Sequence, residues 1–154
     1  MVISLALCLG ILAAATATPA GKTPYEDDPK HFDEQDIMAM VNVTARLYVY
    51  KRNFNTSTDH RCLFAQMKKK INESLYTYTL GAKLYKQFFK YDVNSTLSTT
   101  GHHSKYNAAT YPIALGATPK LRKLMTKDTY NTCFILVVDL DENGKGCQLM
   151  MTKS

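Results

Sequence analysis

The sequence predicts an all-β protein, an antiparallel sandwich or barrel with one short helix near its N-terminus. Short runs of β-branched and aromatic residues recur between polar turns, at the spacing of small strands. A single helix-start pattern, near residue 36, is followed by no strand–helix–strand rhythm. At the C-terminal end two apolar runs flank Asn143-Gly144, the pair that most readily adopts the positive φ of a tight hairpin turn.

Residues 1–17 form an uncharged apolar run followed by small residues, with Ala15 and Ala17 placed as in an A-x-A cleavage site, and read as a secretory signal peptide. Residues 18–32 hold three prolines and the acidic Glu26-Asp27-Asp28, and read as a flexible arm. The remainder, residues 33–154, is long enough for one domain that buries roughly two thirds of its unfolded surface. The acids of Asp33-Glu34-Gln35-Asp36 fall on the first turn of the predicted helix, where the macrodipole favours them.

The strands follow in order. Residues 46–52 place Leu47 and Val49 on one face and Tyr48 and Tyr50 on the other. Residues 62–67 oppose Cys62, Phe64 and Gln66 to Leu63, Ala65 and Met67. Residues 75–80 alternate at period 2. Residues 87–93 carry Phe88-Phe89 on opposite faces, and a polar loop over 94–105 ends that strand. Residues 106–114 contain Pro112, which suits an edge or a bulge, and Leu121, Leu124 and Met125 fit either a strand or a helical turn. With a two-residue turn at Asn143-Gly144, Leu140 would face Cys147. Cys133 then stands seven positions away, over 20 Å at about 3.3 Å per residue, whereas a disulfide needs Cα atoms within about 7 Å. These two cysteines therefore each need a partner elsewhere.

Removal of the leader takes Cys8 and leaves Cys62, Cys133 and Cys147, an odd number in an oxidising compartment. One thiol stays free, pairs with another chain, or belongs with cysteines beyond Ser154. Residues 133–138 are apolar at every position, so both faces of that strand need cover, and no later element supplies it. The expectation is a chain whose C-terminal part is missing.

The net charge of +6, concentrated at Lys68-Lys69-Lys70 and over residues 120–127, suits a glycosaminoglycan, anionic lipid or an acidic ligand, or simply a solvated surface. Sequons at Asn42, Asn55, Asn72 and Asn94 fit a secreted glycoprotein. His60 near Cys62 suggests no nucleophile, because a secreted cysteine is normally a bridge. His102-His103 lacks the third ligand of a zinc site, and no phosphate loop, paired-carboxylate motif or G-x-S-x-G is present. No catalysis, cofactor or metal is expected.

Several segments together carry a family resemblance: the leader, Asp36-Ile37-Met38, the basic-aromatic run over 46–54, Cys62-Leu63, Tyr130-Asn131-Thr132-Cys133 and Gly146-Cys147-Gln148-Leu149. In order and spacing they resemble the tick salivary lipocalins of the histamine-binding type, over nearly all of the chain after its leader. The resemblance implies a lipocalin-like antiparallel β-barrel with a short N-terminal helix, and a monomer that sequesters a small host mediator. It also implies a C-terminal helix and, beyond the last barrel strand, cysteine partners for Cys62 and Cys133, which this chain does not contain.

The departures bear on the ligand. The Asp-Ala-Trp of amine binders is Asp36-Ile37-Met38 here, their Glu-Leu-Trp is Gln148-Leu149-Met150, and an acid after the second cysteine is Phe134. A biogenic amine such as histamine is the family default, with Asp36 and Gln148 as contacts. A cavity walled by Tyr48, Tyr76, Tyr78, Phe88 and Phe134 suits a leukotriene or fatty acid as well. A basic glycoprotein binding a host protein or glycosaminoglycan by its surface is the alternative of another class. No nucleic-acid or membrane partner is expected.

Overall fold

Among the described residues, eight antiparallel strands follow one another around a closed barrel, each paired with its sequence neighbours and β8 paired back onto β1. The structure is a computed structural model that describes residues 22–56, 59–140 and 144–153. The predicted leader lies outside them. The strands are β1 (Leu47–Arg52), β2 (Arg61–Lys70), β3 (Leu75–Leu84), β4 (Gln87–Ser98), β5 (Ala108–Tyr111), β6 (Lys120–Lys127), β7 (Cys133–Asp139) and β8 (Lys145–Thr152). This is the lipocalin-like barrel that the sequence predicted.

Alternation sorts the side chains into an inner and an outer set. Leu47, Tyr76, Tyr78, Leu80, Val93, Leu97, Leu124, Phe134, Leu136 and Met150 form the inner core. One end is plugged by α1 (Met38–Val41), whose Met40 and Val41, with Ile37, join that core. The Asp36 carboxylate accepts the Met38 N–H at 3.0 Å, and the Ile37 N–H donates to the Tyr106 carbonyl at 2.9 Å, which fixes the turn over the barrel end. Asp33 and Glu34 do not start this helix. They close a 3₁₀ segment, Pro29–Glu34, because Pro29 presets φ for an earlier turn.

Residues expected to be a loose arm are docked from Tyr25 onward. Two 3₁₀ turns, Tyr25–Asp27 and Pro29–Glu34, lie against the outer face of β6, and the first reaches over β7 and β8 through Tyr25 and Glu26. Beneath them Met125, Cys133, Ile135, Val137, Cys147 and Leu149 form a second buried cluster, against which Tyr25 packs. So the outer face of β7, expected to lie bare, is covered by the N-terminal segment. Asp27 pairs with Lys123 at 2.7 Å, Glu26 with Lys145 at 2.5 Å, and the Thr126 hydroxyl donates to Glu34 at 2.6 Å. Burial pulls the Lys145 ammonium towards the neutral form, but Glu26, with Asp139 and Asp27, outweighs it and the pKa is raised.

The strap is locked by a wholly buried side chain. Gln35 Nε2 donates to the carbonyls of Tyr25 (2.7 Å) and Met125 (3.2 Å), leaving its Oε1 to meet His103 Nε2 at 2.7 Å. The His103 ring is held in turn by the Thr100 carbonyl at 2.9 Å and covered by Phe32.

The open choice at residues 120–127 resolves to strand, because β5 pairs with residues 120–123 and β7 with residues 122–127. Two expectations for the strands are corrected. β4 runs on to Ser98, since Ser95 and Leu97 continue the inward alternation. The final hairpin pairs Val138 with Gly146 and Val137 with Cys147, three places from the expected register. An odd shift exchanges faces, so Gln148 points inward and Cys147 outward. Gly146 explains the choice: a Cβ there would lie 2.4 Å from Phe54 Cδ1 and 2.7 Å from Leu140 Cδ1. Cys133, opposite Met151, is still four positions from the site facing Cys147, about 13 Å, so the two do not bridge.

Gly81 faces outward under Phe64, and a Cβ there would lie 2.1 Å from the Phe64 ring, itself held by Tyr48 and by Arg46 at 4.6 Å. Gly81→Ala is predicted to lower stability by about 1–3 kcal/mol in denaturant titration. Gln35→Ala is predicted to cost about 1–3 kcal/mol, because it strands the buried Met125 carbonyl, the partly buried Tyr25 carbonyl and His103; a loss within error would show that the strap is not anchored there. Burial pushes the Cys147 thiol up to about 11 from 9.0, so it stays protonated in neutral solution. Its folded pKa being raised, stability should fall as pH climbs between those values. Cys62, exposed on a bulge of β2, is predicted to be alkylated rapidly in the native chain while Cys147 resists until unfolding, as peptide mapping would show.

Candidate functional site

The barrel end opposite α1 is open and leads into a cavity of about 1000 Å³, at the upper end of the range for small-molecule pockets. Its walls come from Val49 and Arg52 of β1, Leu63 and Ala65 of β2, Leu80 of β3, Tyr91 of β4, Tyr111 of β5, Lys120 and Arg122 of β6, Val138 of β7, and Gln148 and Met150 of β8. The rim is formed by Asn53–Thr56 and His60 before β2, Ile113 and Ala114 before β6, and Leu140 after β7. Inner positions of successive strands converge here because closure brings every inner face to one axis.

Beneath it a small void separates the cavity from the plug, lined by Met40, Val41, Tyr78, Leu80, Ser95, Leu97, Ala109 and Tyr111 among others. The Tyr78 hydroxyl in its wall is buried without a hydrogen-bond partner. Burial, with smaller contributions from Tyr111 and Tyr76, pushes its pKa well above the ordinary phenol value. Tyr91, nearer the mouth, is shifted the same way by burial, and its hydroxyl donates to the Ile113 carbonyl.

The charge of the lining is one-sided. Among the described residues no Asp or Glu lines the cavity, while Arg52, Lys120 and Arg122 do. Arg122 is 4% exposed. Its guanidinium donates to the carbonyls of Tyr111 (3.0 Å) and Lys120 (2.8 Å) and stacks 4.1 Å over the Tyr111 ring. No carboxylate among the described residues pairs with it or with Arg52. A buried cation held only by carbonyls and a ring retains strong attraction for an anion.

The candidates from sequence are scattered by the structure. Gln148 lines the cavity and Tyr78 the void below it. Tyr76 and Phe134 are buried in the inner core. Tyr48 lies on the outer face, 5.9 Å from Phe64, and Phe88 is 66% exposed beside Lys83 at the β3–β4 hairpin. Asp36 caps α1 and lies 3.7 Å from Lys105, away from both pockets. Arg122, Tyr111 and Tyr91 were missed. Reading residues 120–124 as a strand with Leu124 inward would have put Lys120 and Arg122 inside with it. The asparagines of all four sequons are exposed. Among the described residues no three His, Cys, Asp or Glu side chains converge to hold a metal ion.

No curated protein matches the chain significantly. Among solved structures, Japanin from Rhipicephalus appendiculatus bound to cholesterol is similar at 17% identity, covering 71% of this chain and 75% of that one, with a TM-score of 0.49. The family model of the tick histamine-binding protein matches residues 25–154. With that match spanning the strap, the plug and every strand of the barrel, the chain belongs to the tick histamine-binding protein family.

Proposed function

We infer that this chain is a secreted carrier that sequesters a small host mediator without chemical change, and that its cargo is an amphipathic lipid with an acidic head, such as a leukotriene or fatty acid. Membership of a family named for histamine binding supports a small-ligand carrier. One observation carries the choice of cargo: Arg122 is buried in the cavity wall with no carboxylate beside it among the described residues. A histamine cation would enter a cavity whose described charged groups are basic, and meet no opposite charge among them, at a large desolvation cost. A fatty-acid carboxylate meets Arg122 and Arg52, while its chain fills the space lined by Val49, Leu63, Leu80, Val138 and Met150.

Calorimetric titration with a long-chain fatty acid, a leukotriene, histamine and serotonin tests the reading. The acids should bind and the amines should not; tight amine binding with no acid binding would overturn it. Arg122→Gln, which keeps donors for the two carbonyls but loses the charge, is predicted to weaken fatty-acid binding by about 10- to 100-fold, with circular dichroism unchanged. Tyr78→Phe removes an unpartnered hydroxyl and should stabilise the empty protein by about 1 kcal/mol. A lower melting temperature in that variant would mean that the hydroxyl has a partner.

A further inference from the structure

We propose that the open end of the barrel docks on a lipid bilayer bearing anionic headgroups, through an apolar and basic lip formed by the β3–β4 hairpin and the loop between β5 and β6. The inference deepens the lipid-carrier reading, since it says where the cargo enters.

Of the eight exposed large hydrophobic residues among those described, five belong to these two segments: Tyr85, Phe88, Phe89, Ile113 and Leu115. Exposed apolar residues scattered singly need no explanation, but five gathered at one end of a barrel do. Up-and-down topology puts both segments at the mouth, and the Tyr91 hydroxyl joins them by its bond to the Ile113 carbonyl. The hairpin is tight: Leu84 pairs with Gln87, which leaves Tyr85, at φ 51° and 85% exposed, at its tip. Leu115, 76% exposed, projects from the neighbouring loop.

The charge on the lip has one sign. Lys83, Lys86 and Lys90 are interleaved with the hairpin aromatics, and no acid occurs between Lys83 and Tyr91 or between Tyr111 and Lys127. Lys83 lies 5.4 Å over the Phe88 ring, so cation and aromatic present one surface. Aromatic tips flanked by lysines suit the boundary between headgroups and acyl chains, where rings bury and ammonium groups reach anionic phosphates. A rigid protein partner would instead favour a flat patch with paired polar atoms. The loop between β5 and β6 gives Ile113 and Ala114 to the cavity rim, and the β3–β4 hairpin stands at the same end of the barrel, so docking lets an acyl chain pass inward without crossing water. The basic charge of the sequence suits anionic lipid among other ligands, but the sequence by itself points to no membrane partner.

Co-sedimentation with phosphatidylcholine vesicles, with and without phosphatidylserine, tests the proposal on the full secreted chain. Binding is expected to the phosphatidylserine vesicles, to fall with added salt, and to weaken by roughly tenfold or more in the Lys83→Gln/Lys86→Gln/Lys90→Gln variant. The Tyr85→Ser/Leu115→Ser variant should lose vesicle binding to a similar extent while its melting temperature and its fatty-acid affinity in vesicle-free solution stay unchanged. Absence of binding to phosphatidylserine vesicles, or equal binding by both variants and the parent, overturns docking. Vesicle binding without any fatty-acid binding in solution would leave docking standing and overturn the lipid-carrier reading instead.

Discussion

Pairing of β8 with β1 is the constraint on which the other features rest. Leu47 to Arg52 run against Thr152 to Gln148, with one bulge after Val49, and this single seam turns a meander of hairpins into a closed wall. An open sheet of the same strands would expose two edges and a flat apolar face. Closure makes that face an interior. It also fixes how much can be filled: at the α1 end Ile37, Met40, Val41, Phe134 and Leu136 pack solidly, and towards the mouth the inner side chains no longer meet. The cavity is thus a consequence of closing a sheet whose large inner residues are concentrated at one end.

Acidic and basic groups are sorted by the same geometry. Four acids of the N-terminal segment are engaged outside the barrel: Glu26 and Asp27 by Lys145 and Lys123, Glu34 by Thr126, Asp36 by the start of α1. Asp128, buried at the β6–β7 turn, accepts the N–H groups of Thr132 and Cys133 and the Thr132 hydroxyl. Asp92, on the outer surface, is held below the usual carboxylate range by its bonds to Lys68 and Thr79. Among the described residues the charged groups that line the cavity are basic, and Arg122, supported by two carbonyls and a ring, is already oriented before any ligand arrives. Pre-organisation of this kind favours an anion over a cation of the same size. The strap and the cavity are coupled as well, since the β6 and β8 strands that bind Asp27 and Glu26 outside carry Arg122 and Gln148 inside.

Much of the barrel was legible in the residues, and the failures have physical causes. Period-2 alternation located β3, β-branched and aromatic content located β1, β2 and β4, and a continuous apolar run beside a turn signal located β7. The pattern was ambiguous at β6, where Leu121, Leu124 and Met125 satisfy a helical period and a bulge at Met125 breaks the strand period. That ambiguity hid Arg122. Aromatic content pointed to ligand walls, yet aromatics serve core, outer face and lip alike; only the partner strand separates Tyr78 from Tyr48 and Phe88. The hairpin register slipped for a comparable reason. Turn propensity at Asn143-Gly144 is local, whereas the close approach of Phe54 to Gly146 is made by a residue some ninety positions earlier. Family resemblance supplied the architecture but pointed to Asp36, which in this chain serves as a cap.

The ionisation state of a bound acid tests the anion-selecting cavity most directly. A fatty acid labelled at its carboxyl carbon, bound to the protein and followed by nuclear magnetic resonance as pH is lowered, reports the charge of the head group inside the cavity. Beside Arg122 the carboxylate should stay ionised well below the pH at which the free acid takes up its proton. A bound resonance that titrates like the free acid, or that is already protonated near neutrality, would show that the cavity does not select an anion and would contradict the account.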